Sequence, residues 1–384
     1  MRDGVDLLVP AGAVISDGRL TIRITEASTL TIYTKADAFI SVPSASKGVA
    51  GNLITTAKAP AGAISTTQLP VIASIAGNPT STDMTEKHVD GTGAAAVFSA
   101  IRAIKFDPNG NIIVSDDGVI RRVTPAGVVT TLNLQPKDRG LDGIAVDSTG
   151  NIYGSFMTVI PAPWVGPPSE RIPTYGGTIR VMDIAGKTED FSANWIASST
   201  EPFIALGDLV ADSQGNLFLA SPGTNNIIKF TSWGSMSVFV GNGTEGNNDG
   251  RGRMATLSAP SHLAIDANDN LYFVDRKNAT IRKATPDGTV TTIAAPPQGD
   301  SNLDTKLSPL PIPAPYGPIA IDLAGNIYFE MPFGFLAKID IRGFITSYYP
   351  TDSSTMGISS MIADNKGNLY LGTNGSAQIR KVSF

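Results

Sequence analysis

Cysteine is absent from this chain of 384 residues, and histidine occurs only twice, as His88 and His262. The first absence removes disulfides, thiolate metal sites and thiol nucleophiles together. Two imidazoles fall short of a three-histidine zinc site and would need a well-placed carboxylate beside them. No metal and no cofactor is therefore expected, and no catalytic residue is assigned. Charged residues make up only 16%, against roughly 25% in ordinary soluble domains. A surface helix needs a charged face, so this deficit argues against a helical protein. No run of Lys or Arg exceeds two residues, and the net charge is −5. A phosphate-neutralising stripe is missing, which argues against nucleic acid as a partner. No apolar run approaches the roughly 18 residues of a membrane span, so membrane insertion is not expected. The opening MRDGVDLLVPAGAVISDGRL has neither a basic start nor a long apolar stretch, so it does not read as a signal peptide.

What the chain has in excess is turn chemistry. Gly 39 and Pro 26 together stand above a norm of roughly 12%, and hydrophobic residues at 42% supply a core. The length suits two to three domains, or one large β domain with an extension. One pattern recurs six times: alternating apolar residues, Asp, two variable residues, Gly-Asn or a variant, and another apolar strand. The copies are IKFDPNGNIIV, IAVDSTGNIYG, LVADSQGNLFL, LAIDANDNLYF, IAIDLAGNIYF and MIADNKGNLYL, with their aspartates at Asp107, Asp147, Asp212, Asp266, Asp322 and Asp364. Each copy predicts a strand, a tight turn and a second strand, with the Asp bonding forward to the turn amides.

A third strand follows most copies, as in IRRVTPAGVVTTL, IRKATPDGTVTTI and the closing IRKVSF, and a Pro-x-Gly turn leads on to a fourth. Four antiparallel strands per repeat of about 40–50 residues is the period of a propeller blade. The sixth copy ends at Phe384 after its third strand, while VIASIAG at 71–77 has no repeat of its own. The expected fold is all-β: a six-bladed propeller over 71–384, closed by that upstream strand pairing with the last blade. Residues 1–70 carry short alternating strands and a small, polar linker, and are expected to form a small β-rich attachment arm.

The pairing of D-x-x-G-N-hydrophobic-Tyr with Ile-Arg-Lys-x-Thr-Pro-x-Gly-x-Val-Thr-Thr resembles the NHL repeat. So does the loop GNGTEGNNDGRGRMATLSAP at 241–260, on which 77–101 aligns, with Asp90 on Asp249, Gly91 on Gly250, Gly93 on Gly252 and Phe98 on Leu257. The resemblance implies a six-bladed propeller, a fold that hosts sensors, adhesins, scaffolds and some enzymes. It leaves the function open.

Two Pro-rich segments, 154–178 and 296–318, interrupt the repeats and are expected as loops. Their Trp164, Arg171, Tyr175 and Tyr316 are candidate contact residues, of the kinds that anchor interfaces. The recurring Arg121, Arg180, Arg282 and Arg380 are expected to tie strands together, with Asp116 and Asp275 as suitable partners. DANDN at 266–270 lacks the Gly and Glu of a calcium loop, so its Asp reads as turn chemistry. NNDGRGR has no Gly-Lys-Ser/Thr and is no phosphate cradle. His88 and His262 read as one surface and one hydrogen-bonded residue.

Three functional readings follow. The first, preferred at this stage, is a non-enzymatic binding or scaffold propeller of a phage virion, a tail or capsid appendage. It would be located on an extracellular particle, attached to other structural proteins by its arm, with oligomers allowed, and it would recognise a host-surface glycan or protein. The second is an enzyme resembling gluconolactonase or streptogramin-lyase propellers, holding a divalent metal at the channel mouth. Glu330 is the one glutamate immediately after a second strand that could serve there. The third is an extracytoplasmic bacterial sensor.

Overall fold

A computed structural model describes residues 70–78, 88–132, 141–160, 174–192, 195–197, 207–295, 310–311, 315, 317–331, 335–343, 345–348 and 357–384, together with strands at 4–9, 14–16, 21–23, 28–33 and 55–56. The described residues form a six-bladed β-propeller. Their only helices are single 3-10 turns such as Gly93–Ala95 and Gly252–Met254. Among the described residues no helix is long and apolar enough to cross a membrane.

Each blade is an antiparallel meander. The innermost strands are Ile101–Phe106, Leu141–Val146, Leu209–Ala211, Pro260–Ile265, Ile319–Ile321 and Ile358–Ala363. They contact one another all the way round, and the sixth meets the first. The second strands, such as Ile112–Asp116, Leu217–Ser221 and Leu271–Asp275, are buried along their whole length. Sheets covered on both faces demand continuous apolar strands, which is how these segments read. One apolar cluster fills each junction between neighbouring blades. Val210 and Phe218 of blade 3 meet Leu263 and Phe273 of blade 4, and Ile104 and Val114 of blade 1 meet Ala76 and Ile379 of blade 6.

The ring closes as expected. Val71–Ala76 pairs antiparallel with Gln378–Ser383, from Ile379 opposite Ala76 to Ser383 opposite Val71. Gln378 Nε2 adds hydrogen bonds to Ser74 Oγ (3.1 Å) and Gly77 O (3.2 Å). In the N-terminal segment, Gly4–Val9 pairs with Ser28–Tyr33 and Val14–Ser16 with Thr21–Arg23. Thr55–Thr56 pairs with Thr346 and Ser347 at the outer edge of blade 5.

The segment 154–178 differs from the expected loop. The second and third strands of blade 2 run on through it as Ile152–Ile160 and Thr174–Met182, a nine-residue hairpin in continuous register. Its Pro-rich core at 161–173 lies outside the described residues. Met157–Ile160 and Thr174–Gly177, clear of the prolines, pair with one another in the ladder. Within 296–318, Leu310–Pro311 pairs in parallel with Ala294 and Ala295 at the edge of blade 4, a position that a proline tolerates.

The six repeat aspartates all face the turn that follows them. Asp147 is representative: Oδ1 accepts from the backbone N–H of Thr149 (2.9 Å) and Asn151 (3.0 Å), Oδ2 from Asn151 Nδ2 (2.8 Å) and the Tyr153 hydroxyl (3.0 Å). Burial pushes its carboxyl up, but the hydrogen bonds from Thr149, Asn151 and Tyr153 outweigh it and hold the group below the usual carboxylate range. Asp266 and Asp364 are lowered in the same way, against burial, by their Asn270 and Asn368. A depressed folded-state pKa contributes stability above the unfolded value of about 3.9, and the contribution is lost as pH falls through the folded value. Melting temperature is therefore expected to hold down to about pH 5 and to fall below about pH 4. Asp147→Asn, Asp266→Asn and Asp364→Asn combined should flatten that acid limb. An acid limb unchanged in the triple variant would refute the assignment.

Candidate functional site

Two kinds of polar cluster interrupt the apolar interior, and they differ in how well their groups are satisfied. The first is a pair of matching ties in blades 1 and 4. Arg121 is fully buried; its Nη1 donates to Asp116 Oδ2 (3.0 Å) and Val97 O, its Nη2 to Asp90 Oδ1 (2.8 Å) and Val89 O. Arg282 repeats this with Asp275 Oδ2 (2.9 Å), Asp249 Oδ1 (2.8 Å), Thr256 O and Asn248 O. Asp90 and Asp249 also accept from Thr131 and Thr292 of their outermost strands. Each tie thus fastens the inter-blade loop, the second strand and the fourth strand to one guanidinium. Of the arginines of other repeats, Arg180 pairs with Asp190 (3.0 Å) and Arg380 donates from Nε to Gln378 Oε1 (3.1 Å). In Arg121 and Arg282 both Nη atoms are engaged by their own chain, leaving only Nε without a hydrogen bond among the described residues, which marks the two ties as structural.

His88 belongs to the blade 1 tie, donating from Nδ1 to Asp116 Oδ2 (3.0 Å). Asn278 fills that role in blade 4, donating to Asp275 Oδ2 (2.8 Å). An imidazole that an amide replaces in the matching node is a hydrogen-bond donor to the buried carboxylate.

The second cluster lies on the inner face of the ring and draws on blades 1, 3 and 4. Lys105 of the innermost strand of blade 1 reaches past blade 2 to Asp208 of blade 3, with Nζ at 2.9 Å from Oδ1 and 3.0 Å from Oδ2. Blade 2 presents Gly143 and Ala145 at the matching positions, which leaves room for the lysine to pass. Asp208 also accepts from the backbone N–H of Leu209 (2.9 Å) and Leu263 (3.2 Å). Lys105 and Asp208 keep about one-seventh of their side-chain surface exposed, as groups lining a narrow channel do.

His262 stands beside Leu263 at a bulge in the blade 4 strand, where the register shifts between Ser261 and Leu263. Its φ of 42° places it in the left-handed region. A non-glycine residue held there is strained, and such strain collects at functional positions. Among the described residues its ring makes no hydrogen bond. Burial pushes its pKa below the usual imidazole value; Asp208 opposes this, and the positive charges of Arg276 and Lys105 reinforce it. His262 is therefore neutral at pH 7, a base with its ring free of hydrogen bonds to the described residues. Of the expected pair, one surface and one hydrogen-bonded histidine, His88 is the hydrogen-bonded one, and His262 is partly exposed, with no hydrogen bond to its ring among the described residues. The sequence gives no sign of this, because both the bulge and the lysine two blades away are set by tertiary structure.

A divalent metal does not fit these residues. Asp208 is already engaged on both oxygens by an ammonium and two amides, and among the described residues no three His, Asp or Glu side chains gather to hold an ion. Glu330 lies apart, buried in the second strand of blade 5, and no charge on a described residue acts on it. Of the candidate contact residues, Trp164, Arg171 and Tyr316 lie outside the described residues. The backbone of Tyr175 sits in the extended hairpin, opposite Val159 and Ala197.

No family profile matches the chain, and no curated protein matches it in sequence. The NHL repeat thus stays a resemblance. Among solved structures, the chain is similar to virginiamycin B lyase from Staphylococcus aureus, at 12% identity over 82% of this chain and 99% of that one, with a TM-score of 0.48. A gluconolactonase from Xanthomonas campestris is 14% identical over 74% of this chain and 86% of that one, TM-score 0.49. An auxiliary nutrient binding protein from Bacteroides ovatus is 14% identical over 100% of this chain and 95% of that one, TM-score 0.40. At such identities the likeness concerns the fold alone. The expectation of a non-enzymatic protein is corrected to this extent: the solved structures that share this fold include a lyase and a lactonase. The expected phage-tail role finds no support among these proteins. The chain is a six-bladed β-propeller whose structural neighbours include enzymes of the virginiamycin B lyase and gluconolactonase kinds.

Proposed function

We propose that this propeller performs acid–base chemistry on a small polar molecule at the channel end where Lys105, Asp208 and His262 meet, with His262 as the general base. The observation that carries this reading is the unpaired, neutral imidazole beside a cross-channel ion pair. A structural histidine spends its ring nitrogens on the protein; this one keeps them for a ligand. The Lys105–Asp208 pair fixes the wall around it, since Asp208 binds the amide of Leu263, the residue next to the base. A base needs a substrate with a proton to lose or a water to activate, which suits cyclic esters and molecules that eliminate across a C–H bond.

A panel of lactones and of β-eliminable esters tests this, followed by release of acid or by absorbance of the new double bond. Turnover is expected to rise with pH and to level off before pH 7, because burial holds the His262 pKa low. His262→Ala is expected to reduce it by about 10²–10⁴-fold, the usual contribution of a positioned base. Asp208→Asn should weaken turnover without abolishing it. Turnover unchanged in His262→Ala, or none from the whole panel, would overturn the reading.

A further inference from the structure

We infer that Asn242 and Asn374 are sites of spontaneous side-chain amide loss at the end of the ring that carries His262, and that the fold protects Asn109, the remaining asparagine followed by glycine. The inference is independent of the chemistry proposed above.

The sequence holds three Asn-Gly steps, at 109–110, 242–243 and 374–375. Asparagine loses its amide most readily before glycine, because the following nitrogen must close on the asparagine Cγ and glycine has no Cβ to stand in the way. The reaction needs only water. The glycine nitrogen attacks Cγ, the Cγ–Nδ2 bond breaks, and Nδ2 leaves as ammonia with the proton that the glycine nitrogen gives up. Water then opens the resulting five-membered ring at either of its carbonyls, leaving aspartate or isoaspartate. No electrons change hands. What the fold controls is whether the nitrogen is free to attack.

Exposure does not separate the three steps, since each asparagine and its glycine are exposed. Gly110 and Gly243 also share a positive φ, 78° and 90°, so backbone freedom does not separate them either. Hydrogen bonding does. Gly110 N–H donates to Asp107 O (2.9 Å), while Asp107 Oδ1 holds the N–H groups of Asn109 and Asn111, each at 2.9 Å. Attack there would have to break the turn that Asp107 organises. The N–H groups of Gly243 and Gly375 have no acceptor among the described residues. Asn225 Nδ2 holds Gly243 by its carbonyl (3.4 Å) and leaves its nitrogen alone. Asn242 Oδ1 accepts from Thr244 N–H (2.8 Å), which curls the side chain back along the chain at Gly243 and polarises the carbonyl to be attacked. Asn374 is fastened through its own N–H, to Gly357 O (2.9 Å).

The antiparallel order of each blade places the loops between blades and the turns between second and third strands at one end of the ring, with the Asp turns at the other. Asn242 follows the last strand of blade 3, Met236–Val240, and Asn374 follows the second strand of blade 6, Leu369–Thr373. Both stand at the end where the innermost strand of blade 4 begins and carries His262. Each conversion adds a negative charge to that end. Isoaspartate at 242 also adds a carbon to the backbone next to Gly241, whose N–H ties the loop to Gly252 O (3.1 Å).

Peptide mapping by mass spectrometry, after the full chain is incubated at pH 8, tests this. Peptides holding Asn242 and Asn374 should gain the mass of an amide turned to an acid, with ammonia released in step and isoaspartate among the products. The Asn109 peptide should stay unchanged while the other two pass half conversion. In guanidinium chloride all three should convert at similar rates, because the protection belongs to the fold. Asn109 converting as fast as Asn242 in the folded chain would overturn the protection, and so would an Asn109 equally inert in guanidinium. Asn242 and Asn374 unchanged in the folded chain, over an interval that converts them in guanidinium, would overturn both sites. Conversion of one alone would remove the other.

Discussion

Deleting residues 1–78 is expected to abolish the native melting transition, whereas deleting 1–65 should leave it close to that of the full chain. The longer deletion takes away Val71–Ala76, the fourth strand of blade 6. Without it, Gln378–Ser383 becomes an open edge, its ladder unpaired and exposed to other chains. The apolar loss is modest, because along the strand only Ala76 is fully buried and Val71 is 60% exposed. The larger loss is closure. Gly77 donates to Gly93 O (3.1 Å) in the loop that enters blade 1, and it accepts from Gln378 Nε2 of blade 6. The junction of blades 6 and 1 then rests on side-chain packing and the hydrogen bond from Ile104 N–H to Ser360 Oγ (3.1 Å). Of the described propeller pairing, the shorter deletion removes the two-residue edge that Thr55–Thr56 adds to blade 5. Calorimetry or circular dichroism of both truncations decides the matter, and equal melting would refute closure as a stabilising device.

Replacing Arg282 with Met is expected to destabilise the protein by about 3–5 kcal/mol, the range for breaking one partner out of a buried pair. Both Arg282 and Asp275 are fully buried. Methionine fills similar volume, but it strands Asp275 with only Ser258 N–H and Asn278 Nδ2 as donors. It also frees Asp249 from the third strand of blade 4 and leaves the carbonyls of Asn248 and Thr256 without their donor. Arg121→Met should behave alike, since its node carries the same set of partners. Arg251→Met is the control: its pair with Asp287 is solvent-exposed on both sides, and such pairs contribute little. A melting temperature lowered no further by Arg282→Met than by Arg251→Met would show that the node is dispensable.

The blade count, the closing strand and the turn aspartates were legible because each is local: a period in the chain, a missing strand, an Asp two and four residues before the amides it binds. The Arg–Asp ties were half legible. Arg121 and Arg282 and their strand partners stood out by recurrence, but the contacts to Asp90 and Asp249 depend on how the inter-blade loops fold over the blades. The channel site was not legible. Lys105, Asp208 and His262 lie in three different repeats, and the role of each depends on what the ring brings opposite it. The hairpin at 152–182 was misread for another reason. Prolines were taken to govern the whole segment, yet Met157–Ile160 and Thr174–Gly177 within it pair as strands.

The closing strand also sets the order of events at the ribosome. Val71–Ala76 is made well before its partner, Gln378 lying 301 positions after Gly77. At about 5–20 residues per second, the strand waits roughly 15–60 s for a mate. A strand rich in bulky apolar residues would find other company in that interval. VIASIA, with alanine and serine at its centre, is poor bait, and its half-polar character is what lets the nascent chain keep its first clasp open until the sixth blade arrives.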